Sequence, residues 1–147
     1  MKLKIQNFVE CVGHFPSKHY FCTFAVSDAD YSTLLSAADL LLVNERSTQT
    51  EMSLPSKLTS YLYSERPVIA AVPRGGATWK FLDGIAELVE AGNPKALADS
   101  IIKLQNDSAK MEKLAKDGLA FAKANLEPSV GRAKYLEWVQ KLLSTTV

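Results

Sequence analysis

Leu54-Pro55-Ser56-Lys57-Leu58-Thr59-Ser60-Tyr61-Leu62-Tyr63-Ser64-Glu65-Arg66-Pro67-Val68-Ile69-Ala70 reads as a helix start, a short helix, a reversal and then a buried strand. Pro55 suits the first helical turn, where its missing N–H costs nothing. Ser56 and Lys57 place a hydroxyl and a cation beside the exposed N–H groups of that turn, a seat suited to phosphate. Pro67 opens an apolar, β-branched run, as a first strand residue does. A basic helix start feeding a parallel strand is a common way to hold a nucleotide on an α/β sheet.

The same alternation continues on both sides of this segment. Upstream, Leu3–Val12 has apolar residues at Ile5, Phe8, Val9 and Val12, the spacing of a helix. His19–Ala25 is aromatic and β-branched and predicts a strand. Ser27 with Asp30 forms a capping box for a helix that buries Tyr31, Leu34, Leu35 and Ala38. Leu40–Val43 is a continuous apolar run suited to a parallel sheet covered on both faces. Asn44–Ser53 is polar and breaks both periodicities, so it reads as a loop.

Downstream, the helix Pro55–Ser64 and the strand Pro67–Val72 lead to a turn at Pro73-Arg74-Gly75-Gly76, a short helix at Ala77–Leu82 and a strand at Ile85–Val89. Then come helices only. Asn93 and Pro94 open one with Leu97, Ile101 and Leu104 aligned; Ser108 opens one with Met111, Leu114, Ala115, Leu119 and Ala122 aligned. Ser129 opens the last, with Tyr135, Leu136, Val139, Leu142 and Leu143 expected inward. The fold class expected is α/β: a Rossmann-like parallel sheet of about four strands with flanking helices and an all-helical C-terminal tail.

Composition narrows the function classes. The 147 residues suffice for one domain, and 47% hydrophobic with 22% charged is ordinary for a soluble globular chain. A net charge of +1 gives no electrostatic footprint for nucleic acid. Cys11 and Cys22 have neither metal-ligand nor C-x-x-C spacing, and His14 and His19 are isolated. Glu51, Glu65 and Glu87 carry no pairing that would mark a catalytic base. No apolar run reaches the length of a membrane span, and the basic Met1-Lys2-Leu3-Lys4 start is not followed by a signal-peptide core. A cytoplasmic protein is expected.

Ligands on open α/β sheets bind outside the carboxyl ends of the strands. Three loops fall there: Asn44-Glu45-Arg46, the stretch from Thr48 to Leu54 that leads into Pro55-Ser56-Lys57, and Arg74-Gly75-Gly76-Ala77-Thr78. Ser56, Lys57, Arg74 and the Gly75-Gly76 backbone are the groups able to seat a diphosphate. As single features, Lys57 also fits a solvated helix start, and a Gly pair after a strand also fits a plain turn.

In order and spacing the chain resembles the donor-binding half of retaining group-1 glycosyltransferases with the GT-B fold, the type that builds bacterial surface polysaccharides. The resemblance is carried by Ala37-Ala38-Asp39-Leu40-Leu41-Leu42-Val43, then Pro55-Ser56-Lys57, then Arg66-Pro67-Val68-Ile69-Ala70. It ends on Gly84-Ile85-Ala86-Glu87-Leu88-Val89-Glu90-Ala91-Gly92-Asn93-Pro94-Lys95-Ala96-Leu97-Ala98. It runs from about Tyr20 to the C-terminus. It implies a nucleotide-sugar substrate, no metal and no resident cofactor, and it sets the donor site at Ser56, Lys57 and Ser60, to which the carboxyl-edge reading adds Arg74, Gly75 and Gly76. It also implies transfer of a sugar to a glycan or lipid-linked acceptor.

Two positions depart from the family pattern. Ser60 stands where many relatives carry a ribose-binding Glu, and a hydroxyl cannot grip a diol as a carboxylate does. Glu65 stands at the usual Gly before the strand proline. No acceptor domain and no basic diphosphate loop precede Tyr20 in this sequence, so residues 1–147 read as a single partial donor domain, inactive in isolation. The expected partner is a missing acceptor domain or a second copy, with membrane association only peripheral and through the full enzyme. A non-catalytic, degenerate donor domain serving as an interaction or regulatory subunit is the alternative. A flavodoxin-like phosphate binder would want an acidic or Gly-rich loop after the first strand, and Phe24-Ala25-Val26-Ser27 offers neither.

Overall fold

The computed structural model describes residues 27–48 and 54–145. In chain order these form α1 (Asp28–Ala37), β1 (Leu41–Asn44), α2 (Lys57–Tyr63), β2 (Val68–Val72) and α3 (Ala77–Leu82). Then follow β3 (Glu87–Glu90), α4 (Pro94–Gln105), α5 (Ser108–Asn125) and α6 (Pro128–Thr145). The expected helix Leu3–Val12 and strand His19–Ala25 lie outside the described residues, as do both cysteines and both histidines. Among the described residues the sheet has three strands, in the order β1-β2-β3; the fourth strand expected is the one at His19–Ala25. Both pairings are parallel, as the alternation of strands and helices implied.

β2 sits in the middle and is buried at all five positions. Alternation of its side chains divides the core in two. Val68, Ala70 and Val72 face Leu41, Val43, Leu58, Leu62, Leu82 and Ala122, so α2, α3 and α5 cover that side. Ile69 faces Val89, Leu104 and Leu114, under α4 and the start of α5. Each fully buried Leu or Ile here contributes about 1.5–3 kcal/mol of hydrophobic stabilisation. Among the described residues, β1 is covered on one face only. Leu41 and Val43 are buried, while Leu42 is 40% exposed.

Several helix starts form as their sequences direct. Ser27 accepts a hydrogen bond from the Asp30 N–H at 3.2 Å, and Asn93 accepts from the Ala96 N–H at 3.0 Å. Others shift by a residue. Asp107, not Ser108, caps α5 by accepting from the Lys110 N–H at 2.9 Å; a carboxylate there outcompetes the serine that follows. α6 begins at Pro128, so Ser129 lies inside it. α2 spans Lys57–Tyr63, but Ser56 already has helical angles (φ −57°, ψ −30°), and the Leu58 N–H bonds back to the Pro55 carbonyl at 3.0 Å.

Two expectations fail for clear reasons. The last strand runs over Glu87–Glu90, not Ile85–Val89, because the Ile85 and Ala86 N–H groups both donate to the Leu82 carbonyl at 3.1 Å and stay in the turn closing α3. The apolar stripe of α6 does not face inward. Tyr135, Leu136, Leu142 and Leu143 are exposed, because α6 continues beyond the part of α5 it packs on.

Candidate functional site at the carboxyl edge of the sheet

The register sets Asn44 beside Ala71 and Val72 beside Glu90, so the three strands end together. The segments leaving those ends are tied to one another across β2. After β1, the Glu45 N–H donates to the Ala71 carbonyl at 2.9 Å. The Glu45 carboxylate then accepts from the hydroxyl of buried Thr78, in the first turn of α3, at 2.7 Å. Ser47 sits beside Gly92, the residue two past β3, where a methyl group would meet its side chain at 3.6 Å. These contacts hold the loop after β1 over the edge.

The turn after β2 is shaped by its glycines. Gly75 has φ 75°, the left-handed region that glycine occupies without strain. Gly76 caps α3; a Cβ there would lie 3.1 Å from the Pro73 carbonyl oxygen, and its own N–H donates to that oxygen. Arg74 is anchored on the end of β3. Its N–H donates to Glu90 at 3.2 Å, its Nε lies 3.5 Å from the other Glu90 oxygen, and its guanidinium stacks 5.3 Å from the Trp79 ring centroid. The arginine side chain is 77% exposed, so the pair is a weak one that a stronger anion can displace.

Ser56, Lys57 and Ser60 lie on α2, which leaves the same edge after β1. Ser56 is exposed and makes no side-chain cap bond, and no hydrogen bond joins its hydroxyl to another described residue. No hydrogen bond or ion pair joins the Lys57 side chain to another described residue; its Nζ sits 6.0 Å from the Tyr61 ring centroid. Burial, with Tyr31 nearby, pushes the Tyr61 phenol above its usual range, so the ring stays neutral and does not neutralise the ammonium. Ser60 lies one turn further on, and its carbonyl accepts from the Ser64 N–H at 3.1 Å.

The six expected site residues thus fall in two segments that leave the carboxyl ends of β1 and β2: Ser56, Lys57 and Ser60 at the cap and in the body of α2, and Arg74, Gly75 and Gly76 in the turn after β2. No hydrogen bond or ion pair joins the two groups directly. Sequence reasoning missed Glu90 and Trp79, the two groups that hold Arg74. A strand-ending Glu gives no signal until the register is known. Among the described residues no group of His, Cys, Asp and Glu is gathered as a metal site, and no helix is long and apolar enough to cross a membrane.

The opposite edge also holds a cleft, of about 610 Å³, lined by Ser36, Asp39, Arg66, Glu112 and Lys116 among others. The Arg66 Nε there is buried without a hydrogen-bond partner. Glu65, Asp39 and Glu112 set three carboxylates against two cations in this cleft, which suits a diphosphate less than the carboxyl edge does.

No known family profile matches the chain, and no curated protein matches it. Solved structures do. Anabaena Alr3699/HepE in complex with UDP-glucose has a TM-score of 0.63 at 20% identity, over 74% of this chain. The same protein in complex with UDP has a TM-score of 0.62 at 19% identity, over 77% of this chain. The likeness is one of fold. This chain spans 29–30% of the length of that protein, less than a third.

Proposed function

We propose that the chain is the donor-binding portion of a retaining group-1 glycosyltransferase of the GT-B type, seating a nucleoside-diphosphate sugar at the carboxyl edge of its sheet. The observation that carries this reading is the shared fold with a protein crystallised with UDP-glucose and with UDP. The edge supplies the chemistry such a ligand needs. Lys57 meets the diphosphate as a point charge, and the Ser56 hydroxyl and the first N–H groups of α2 add donors. Arg74 exchanges its exposed Glu90 partner for phosphate oxygens, and the Gly75-Gly76 backbone lets them approach. In the reaction, the carbon–oxygen bond from sugar to diphosphate breaks and the acceptor hydroxyl takes the sugar with retention. The seat stabilises charge on the departing diphosphate. The seat itself calls for no metal and no resident cofactor. The acceptor would be a glycan or lipid-linked hydroxyl, held by a separate domain in the cytoplasm.

Titration calorimetry with UDP-glucose, UDP and GDP tests the seat. Lys57→Ala should weaken binding by about 1.5–3 kcal/mol, the scale of a charge-assisted hydrogen bond. Unchanged binding would overturn the assignment. The chain by itself should transfer no sugar, since nothing positions an acceptor and orientation is worth roughly 7–11 kcal/mol of a barrier. Turnover of a nucleotide sugar by the purified chain would refute that. A non-catalytic module remains the second reading, favoured by Ser60 standing at the ribose-binding position; it predicts no affinity for any of the three ligands.

A further inference from the structure

The cleft at the amino edge of the sheet is lined by residues that the donor seat does not use. Asp39 and Arg66 both line it, and each stands two residues ahead of the first pair in the register of β1 with β2, Leu41 with Val68. No hydrogen bond or ion pair joins either side chain to another described residue, and the two do not pair with each other. The Arg66 Nε is buried without an acceptor, so the fold leaves this guanidinium short of partners. Lys116, the other cation lining the cleft, pairs with Glu112 at 2.5 Å, with Glu65 adding to the same pull. What remains open is one guanidinium and one carboxylate.

The hydroxyls of the cleft favour a ligand that brings a donor. Ser36 donates to the Ser32 carbonyl at 2.9 Å and Ser64 to the Tyr61 carbonyl at 2.7 Å, so each has only lone pairs left to offer. An apolar compartment adjoins. A second cleft, of about 440 Å³, shares Asp39 and Met111 with the first and is otherwise lined by Leu40, Ile101, Leu104 and Gln105. A phosphate group would meet the carboxylates at close range. An alkyl carboxylate answers Arg66 but not Asp39, and an alkylamine answers Asp39 but not Arg66.

We propose that this amino-edge cleft binds a free α-amino acid with an apolar side chain. The carboxylate of the ligand lies on the Arg66 guanidinium, whose planar fork matches it. Its ammonium meets Asp39 and the serine lone pairs, and its side chain runs along Met111 into the apolar compartment. The ligand brings no net charge, so the balance of the cleft is unchanged while both open groups gain partners. This site lies at the opposite edge from the donor seat and stands whether or not that seat binds nucleotide.

Ligand-observed NMR titration of the full chain with L-leucine, L-methionine and L-phenylalanine should show saturable binding. Two fragments of leucine dissect it: 4-methylpentanoate, which lacks the ammonium, and 3-methylbutylamine, which lacks the carboxylate. Each should bind at least about tenfold more weakly than leucine, as loss of one charge-assisted hydrogen-bonding group predicts. Arg66→Gln and Asp39→Asn should each weaken leucine binding by a similar factor. Asp39→Asn should also erase the preference for leucine over 4-methylpentanoate, a change of selectivity that loss of fold does not produce. Asp39 is exposed, so its variant tests the site even where Arg66→Gln disturbs folding. Absence of binding for all three amino acids at millimolar concentration would overturn the proposal. So would equal binding of leucine and 4-methylpentanoate by the wild type, or leucine binding indifferent to Asp39→Asn. Inorganic phosphate bound more tightly than leucine, and lost in Arg66→Gln, would overturn it too, since the cleft would then be a plain anion site.

Discussion

Glu65 has the least comfortable backbone among the non-glycine residues described. It follows the last residue of α2 and its cap Ser64, at φ 54°. That is the left-handed position where helices usually end on glycine, since any Cβ there crowds a carbonyl oxygen. The glycosyltransferase pattern that the sequence resembles has Gly at this position, and the geometry supplies a physical reason for one. Glu65→Gly should therefore raise stability by about 1 kcal/mol, read as a higher urea midpoint with unchanged slope. A lower midpoint would mean that the carboxylate, which lies near Lys116, contributes more than the strain costs. Gly75 is the converse case. Gly75→Ala meets no neighbouring atom but loses about 1 kcal/mol to its φ of 75°.

At the scale of elements, α2 is held by its far end. The Tyr63 hydroxyl shares its one proton between the Ala122 carbonyl at 3.2 Å and a Glu127 carboxylate oxygen at 3.1 Å, pinning α2 to the junction of α5 and α6. Tyr63→Phe should lower the midpoint of chemical denaturation, since it removes this hydrogen bond while keeping the ring. Burial first, then Glu127, raises the phenol above its ordinary value of 10.0. The unfolded chain then ionises before the folded one. The stabilising contribution is whole below the unfolded value and is lost as pH climbs through the folded one, so wild type and Tyr63→Phe should converge in stability at strongly alkaline pH. The elements differ in how far they could be read from sequence. β2 was legible because all five residues are apolar and a proline marks its start. β3 was read two residues early, because Ile85-Ala86 is as apolar as a strand and only the hydrogen bonds to Leu82 show it to be a turn. The stripe of α6 was legible as a stripe but not in direction, since periodicity says which residues share a face and not what lies opposite. Ser56, Lys57 and the Gly75-Gly76 turn were legible from helix and turn chemistry, whereas the Glu90 anchor of Arg74 depends on register between segments sixteen residues apart.

Across the whole molecule, coverage is uneven. β2 is sealed on both faces, β1 leaves Leu42 open on one, and α6 leaves a full stripe open. The order of the strands in the sheet is also their order in the chain. For a polypeptide emerging from the ribosome this means that each new strand finds its neighbour already synthesised. The side of the core around Val68, Ala70 and Val72 has nearly all its members once Ala86 has emerged. The side around Ile69 must wait for Leu104 and Leu114. During synthesis, then, the two faces of the sheet are covered at different times: α2 and α3 reach one face first, α4 is the element whose arrival begins to cover the other, and α5 completes both.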